Sequence, residues 1–196
     1  MNTSSPYEEI ITIDNFLSKE QCDWFIRLFN AETTEFAEPG ERFGLDLLPQ
    51  HLEILHLDQI YHYREVKFIA AQWARLVPVA NAFPDYMQVV RRAPGAFLGP
   101  HVDFEDRVYS SIIYLNDDFS GGETRVGNRI IEPEVGKCFG LYGSHVQHEL
   151  HEVRDGSRYI LIVWFRDLEK IPLERQEISA RRQDKESVGF LFTETD

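Results

Sequence analysis

His101-Val102-Asp103 sets an imidazole and a carboxylate two residues apart. In extended chain, side chains alternate with period two, so both groups fall on one face and can take adjacent positions on one metal ion. A two-histidine, one-carboxylate set needs a third ligand. That facial arrangement suits non-haem Fe(II) and leaves coordination positions open. His145, His148 and His151 are the candidates. In a regular strand His148 faces opposite to the other two, and periodicity alone does not choose between the faces. His-x-Asp by itself is a short motif with a high false-positive risk.

The surroundings add context. Gly95, Gly99 and Pro100 precede His101 and allow an irregular approach into a site. Arg107 follows, then the strand-like run Ser110 to Asn116, then Gly121-Gly122-Glu123-Thr124 as a tight turn. Beyond His148 come Val153, Gly156 and Arg158, then an apolar run from Tyr159 to Phe165 that contains Trp164. Taken singly, Tyr114 and Trp164 read as core aromatics and Arg158 as a hairpin charge. His51, His56 and His62 lie upstream and read as unrelated to a metal.

Elements must hold these residues in place. Ile10 to Ile13 is β-branched and reads as a strand. Ser18 with Gln21 forms a capping box that starts a helix to about Ala31, with Cys22, Phe25, Ile26 and Phe29 on one face. Val66, Ile69, Ala70, Trp73, Leu76 and Val77 recur at helical spacing and predict a second helix over 63–77. Residues 33–48, with Pro39, Gly40 and Gly44 among charges, read as a loop and a candidate lid. From residue 86 the period changes. Strands are expected near 86–92, 108–116, 123–126, 129–132, 137–142, 147–153 and 158–166, with hairpin turns at Gly127-Asn128 and Asp155-Gly156. Helices followed by many short strands predict a mainly β protein, a jelly roll with its N-terminal helices packed on one outer face.

The chain has 196 residues, so residues 1–167 are expected to form one domain. Residues 168–196 read as a polar, partly helical extension. Within it, Phe190-Leu191-Phe192 either docks back or makes a homodimer contact. Lys and Arg number 20 against 33 Asp and Glu, for a net charge of −13. That sign repels phosphate backbones and argues against a nucleic-acid partner. No apolar run is long enough for a membrane span, and Met1 to Pro6 has no signal-like pattern, so a cytoplasmic protein is expected. Cys22 and Cys138 are too few for a disulfide framework and read as reduced core residues.

Together these motifs resemble the Fe(II)- and 2-oxoglutarate-dependent dioxygenases, in particular the prolyl 4-hydroxylase-like group. The likeness runs from Ile13-Asp14-Asn15-Phe16-Leu17 to Trp164. It comprises His-x-Asp, Arg107 with Tyr114-Leu115, Gly-Gly-Glu-Thr, Pro133 and Gly136, His-x4-Val-x2-Gly-x-Arg, and a Trp six residues later. The resemblance implies a double-stranded β-helix holding Fe(II) on His101, Asp103 and His148. His148 is chosen over His151 because the family's distal ligand precedes its cosubstrate-binding basic residue by about ten positions. It further implies Arg158 on the far carboxylate of 2-oxoglutarate, Tyr114 and Ser110 as hydrogen-bond donors, and Trp164 packed beside the cosubstrate. Ascorbate is an optional further reductant.

The implied activity is hydroxylation of an unactivated C–H bond with molecular oxygen, with release of succinate and CO2. The substrate would be a prolyl residue of a peptide, a free amino acid or a related small molecule. Asp103 favours hydroxylation over halogenation, which in this family goes with a small residue there. The alternative is a non-catalytic jelly-roll module binding a metal or sugar, which would not need Arg158, Tyr114 and Ser110. Two departures stand out. Arg92, preceded by Arg91, stands where relatives often carry a tyrosine, and Glu152 replaces the usual proline of the closing motif.

Overall fold

A computed structural model describes residues 10–31, 35–36, 52–57, 72–73, 76–167 and 169. The elements are β1 (Ile11–Ile13), α1 (Lys19–Ala31), β2 (Glu35–Phe36), β3 (Leu52–His56), β4 (Ala82–Arg92), β5 (Leu98–His101), β6 (Arg107–Tyr114), β7 (Ser120–Gly121), β8 (Thr124–Val126), β9 (Arg129–Ile131), β10 (Cys138–Leu141), β11 (His148–Leu150), β12 (Val153–Asp155) and β13 (Arg158–Asp167). They form a seven-stranded sheet in the order β1-β10-β6-β13-β4-β3-β2, a four-stranded sheet in the order β5-β11-β8-β9, and the short pair β12-β7. Every strand pair is antiparallel. Two such sheets facing each other make the expected jelly roll.

The large sheet is buried on both faces. Met87 and Val89 of β4, Tyr109 and Ile113 of β6, and Leu161, Val163 and Phe165 of β13 pack outward with Leu17, Cys22, Phe25, Leu28 and Phe29 from the α1 region. Val90, Ile112, Tyr114, Ile160 and Ile162 alternate with them and face inward, together with Val126 and Ile131 of the small sheet. Alternation of the strand therefore splits one run, Tyr159 to Phe165, between two cores.

Helix α1 begins as expected. The Ser18 N–H donates to Gln21 Oε1 at 2.8 Å and the Gln21 N–H donates to Ser18 Oγ at 3.3 Å. Its buried stripe is Cys22, Phe25, Leu28 and Phe29, with Ile26 only partly covered. Both cysteines are free and buried, and burial pushes the Cys22 thiol up to about 12. The second expected helix falls mostly outside the described residues. Gln72 and Trp73 are helical, and the Trp73 ring lies 4.6 Å from Phe16. Of the expected 33–48 loop, Glu35 and Phe36 form a strand and the remainder lies outside the described residues, as do residues 170–196.

Several boundaries differ from the sequence reading. The Gly127-Asn128 turn does join β8 to β9, with Val126 opposite Arg129. Asp155-Gly156 does not close a hairpin. β12 pairs with β7, whereas β13 has both edges taken by β4 and β6, so the chain changes sheets at this turn. The single strand expected at 147–153 is two, β11 and β12, which belong to different sheets. β5 went unread because Gly99 and Pro100 lower strand propensity. Its place at the edge of the four-stranded sheet tolerates a residue without an N–H. β3, unassigned from sequence, extends the large sheet beyond β4.

Because the two faces of the large sheet are separate cores, a cavity made under α1 should cost stability without touching the inner face. Phe25→Ala is expected to lower unfolding free energy by about 3–5 kcal/mol. Chemical denaturation measures this loss.

Candidate active site

His101 ends β5 and His148 begins β11, and the two are direct cross-strand partners. Their rings lie 4.2 Å apart between centroids. His101 Nδ1 lies 2.9 Å from the Gly99 carbonyl and His148 Nδ1 lies 2.9 Å from the Val146 carbonyl. A carbonyl only accepts, so each Nδ1 carries the proton and donates. Each Nε2 is then left with its lone pair for a metal. Burial first, then the neighbouring His148 ring, pushes the His101 imidazolium below its usual range and favours the neutral ligand form.

Asp103 enters beside them because its N–H donates to the Gly143 carbonyl at 2.8 Å, which ties the strand-exit loop to the turn after β10. One ligand atom from each of His101, Asp103 and His148 lies within 4.8 Å of the others, an arrangement that could hold a metal ion. Asp103 Oδ1 is 3.9 Å from His148 Nε2. The other oxygen, Oδ2, accepts a hydrogen bond from Ser110 Oγ. Two neutral imidazoles and one carboxylate, each oriented by a second hydrogen bond, fit Fe(II).

His145 and His151 stand elsewhere. His145 is exposed, with Ser144 Oγ 3.0 Å from its Nδ1. His151 follows β11, 3.4 Å from Glu123 and 3.3 Å from Glu149, and is not part of the His101–Asp103–His148 cluster.

A cavity of about 320 Å³ opens between the sheets over this cluster. Gln88, Val90 and Arg92 of β4, Ser110 and Ile112 of β6, and Arg158, Ile160, Ile162 and Trp164 of β13 line it. Arg158 is 2% exposed, so a full charge lies in the interior. Its Nη2 donates to Thr124 Oγ1 at 3.0 Å and its guanidinium carbon lies 5.1 Å from the Tyr114 ring centre. The Tyr114 hydroxyl lies 3.0 Å from the same Thr124 oxygen and 3.1 Å from the Ile131 carbonyl. Gly122 makes room for the arginine stem, since a Cβ there would lie 3.1 Å from Arg158 Cδ.

The expected residues therefore divide into two groups. Arg158 and Tyr114 gather at one end with Thr124, which the sequence reading did not single out. Ser110 sits at the other end, against Asp103, and not with the arginine. Trp164 lines the cavity and carries the Arg107 guanidinium 4.2 Å from its ring centre, with Phe104 on that cation at 4.8 Å. Arg107 also reaches Asp103 Oδ1 at 3.6 Å, so it belongs to the site. Arg91 and Arg92 separate by alternation. Arg91 points outward to Glu53 at 2.5 Å, and Arg92 points inward and is buried.

Gly143 is a site residue that no motif announced. A Cβ built on it would lie 2.3 Å from Asp103 Oδ2 and 2.4 Å from Ser110 Oγ. Only hydrogen at this position leaves space for that carboxylate–hydroxyl pair. Gly143→Ala is expected to weaken divalent-metal binding about 10- to 100-fold, as loss of a ligand's supporting hydrogen bond does. Calorimetric titration with Fe(II) under anaerobic conditions reads this directly.

Comparison with known proteins agrees with the geometry. A family model of the 2OG-Fe(II) oxygenase superfamily matches residues 87–166. A comparison with curated proteins finds no match. Among solved structures, a Pseudomonas putida prolyl-4-hydroxylase is 20% identical with a TM-score of 0.65, covering 80% of this chain and 91% of that one. A Trichoplax adhaerens prolyl hydroxylase, in complex with a hypoxia inducible factor oxygen degradation domain peptide fragment, is 14% identical with a TM-score of 0.60, covering 87% and 86%. HygX from Streptomyces hygroscopicus, with nickel and 2-oxoglutarate bound, is 13% identical with a TM-score of 0.61, covering 80% and 82%. The family-model match over residues 87–166 spans the histidine–aspartate cluster and the buried arginines, and the fold is shared with solved prolyl hydroxylases.

Proposed function

We propose that the protein hydroxylates an unactivated C–H bond, using Fe(II) held by His101, Asp103 and His148 and 2-oxoglutarate held by Arg158. The observation that carries this reading is the pairing, in one cavity, of the histidine–aspartate cluster with a buried arginine. The separation suits a five-carbon 2-oxo diacid. From the His148 row of the small sheet to the Thr124–Leu150 row is two residues, or roughly 7 Å of strand.

Each side chain has a definite task. His101 and His148 present Nε2 because backbone carbonyls hold their Nδ1 protons. Ser110 keeps the Asp103 carboxylate turned toward the histidines. Arg158 takes the far carboxylate of the cosubstrate, since a planar guanidinium binds a carboxylate bidentately and keeps its charge when buried. Tyr114 and Thr124 orient that arginine. Ile112, Ile160 and Ile162 keep water from the span between the two ends. With both groups bound, O2 would be the oxidant: oxidative decarboxylation of 2-oxoglutarate to succinate and CO2 would take up one oxygen atom and supply two electrons, leaving the other oxygen atom for the C–H bond.

The substrate is proposed to be a prolyl residue of a peptide, or a free amino acid or similar compact molecule. The structural neighbours named as prolyl hydroxylases support this, as does the exposed Phe104, which lines the cavity. Incubating amino acids and proline-containing peptides with Fe(II), 2-oxoglutarate and oxygen tests it. A mass gain of one oxygen coupled to succinate formation is expected, and succinate formed equally with no substrate present would argue against it.

Two sets of variants follow. His101→Ala, Asp103→Ala and His148→Ala should each abolish Fe(II)-dependent turnover in a folded protein, while His151→Ala keeps it. An active His148→Ala with a dead His151→Ala would reverse the ligand assignment. Arg158→Ala should raise the KM for 2-oxoglutarate by an amount corresponding to about 2–5 kcal/mol. Fe(II) affinity, measured separately, should change little. Arg158→Lys should fall between, keeping charge without the fork.

A further inference from the structure

β4 and β13 set Arg92 directly opposite Arg158 on the inner face of the large sheet. Directly opposed residues of an antiparallel pair have Cα atoms about 4.5–5.5 Å apart, and like charges in that position repel. Both side chains are buried, Arg92 at 8% and Arg158 at 2% exposure. Neither has an ion pair among the described residues. The Nε and Nη1 of Arg92 and the Nε of Arg158 are buried N–H groups with no hydrogen-bond partner. Burial and the charge of Arg158 together push Arg92 down to about 9.

The adjacent position shows how this chain treats an arginine that needs no ligand. Arg91 faces outward, and its cross-strand neighbour on β3 is Glu53, which pairs with it at 2.5 Å. Arg92 faces inward, and its neighbour on the same strand is Leu52. The polypeptide provides an acid for the first arginine and an apolar wall for the second. Two opposed guanidiniums with unmade donors, both lining the cavity, call for an anion from outside the chain.

We propose that Arg92 and Arg158 form a clamp that shares one carboxylate, the far carboxylate of the 2-oxo acid cosubstrate. This rests on the oxygenase reading of the cavity and adds a residue to it. A carboxylate has two oxygens and about four acceptor sites, enough for both forks. Arg158 approaches from β13 with one donor already held by Thr124, and Arg92 approaches from β4. Arg92 is thus a specificity residue, one that favours 2-oxo acids carrying a second carboxylate.

Calorimetric titration under anaerobic conditions, with Fe(II)-loaded protein, tests the clamp without turnover. 2-Oxoglutarate and 2-oxobutyrate, which lacks the far carboxylate, are titrated into wild type, Arg92→Ala and Arg92→Gln. Thermal melting establishes that each variant is folded, and the glutamine variant fills the space if alanine does not fold. Loss of a charged hydrogen bond should raise the Kd for 2-oxoglutarate about 10- to 100-fold. The Kd for 2-oxobutyrate should change less than about twofold, because the clamp has nothing there to hold. An unchanged Kd for 2-oxoglutarate overturns the clamp and leaves Arg92 to a carboxylate of the substrate. Equal weakening of both acids overturns it too, marking Arg92 as structural. A wild-type protein that binds neither acid would instead remove the oxygenase reading, and the clamp with it.

Discussion

A strand buried on both faces must satisfy two environments with alternate residues, and β13 is where this protein meets that demand most fully. Leu161, Val163 and Phe165 anchor the sheet to α1. Arg158, Ile160, Ile162 and Trp164, the residues between and beside them, line the cavity. A shift of one residue would exchange the two sets, burying a charge under the helix and facing leucine and valine toward the site. Register between β13 and its neighbours β4 and β6 is therefore the constraint on which both stability and chemistry depend. Pairing with β4 and β6 holds that register, and α1 covers the outer face of the sheet.

The same alternation gives the cavity two chemically distinct ends. At one, His101, Asp103 and His148 converge, with Ser110, Gly143 and Arg107 shaping the carboxylate. At the other, Arg158 and Arg92 stand among Tyr114, Thr124 and Leu52. Isoleucines and valine separate them. In such surroundings electrostatic interactions are screened far less than in water, so the proposed dianion spanning the two ends would be recognised at both termini. The chain as a whole carries −13, and its long-range field does not attract an anionic cosubstrate. Under the proposed function, recognition would fall to these few buried cations at short range, within the roughly 8 Å over which charges act in physiological salt.

Much of the site was legible in the order of residues. The spacing from His148 to Arg158, which the family resemblance supplied, runs from β11 through β12 to β13, and His-x-Asp is a local pattern at the end of β5. The capping box and the apolar stripe of α1 were legible for the same reason. Ser110 illustrates the limit. It shares a strand face with Tyr114 and was grouped with it, yet four residues of strand carry it to the opposite end of the cavity, beside Asp103. Gly143 had no signal at all, since its importance is the absence of a Cβ between two groups from distant segments. Asp155-Gly156 had the composition of a hairpin turn, but whether a turn joins neighbours in a sheet depends on which strand edges are free.

What the sequence determined by itself was therefore periodicity: which residues share a face, where a helix starts, and which side chains could bind a metal or a carboxylate. These follow from backbone geometry that repeats every 2 or 3.6 residues. Only the tertiary structure decided which faces meet. It brought His148 across from His101, turned His151 to Glu123 and Glu149, gave Arg91 a glutamate, and left Arg92 facing Arg158. Those outcomes depend on pairing between strands tens of residues apart, set by the burial of both faces of the large sheet and written in no local pattern.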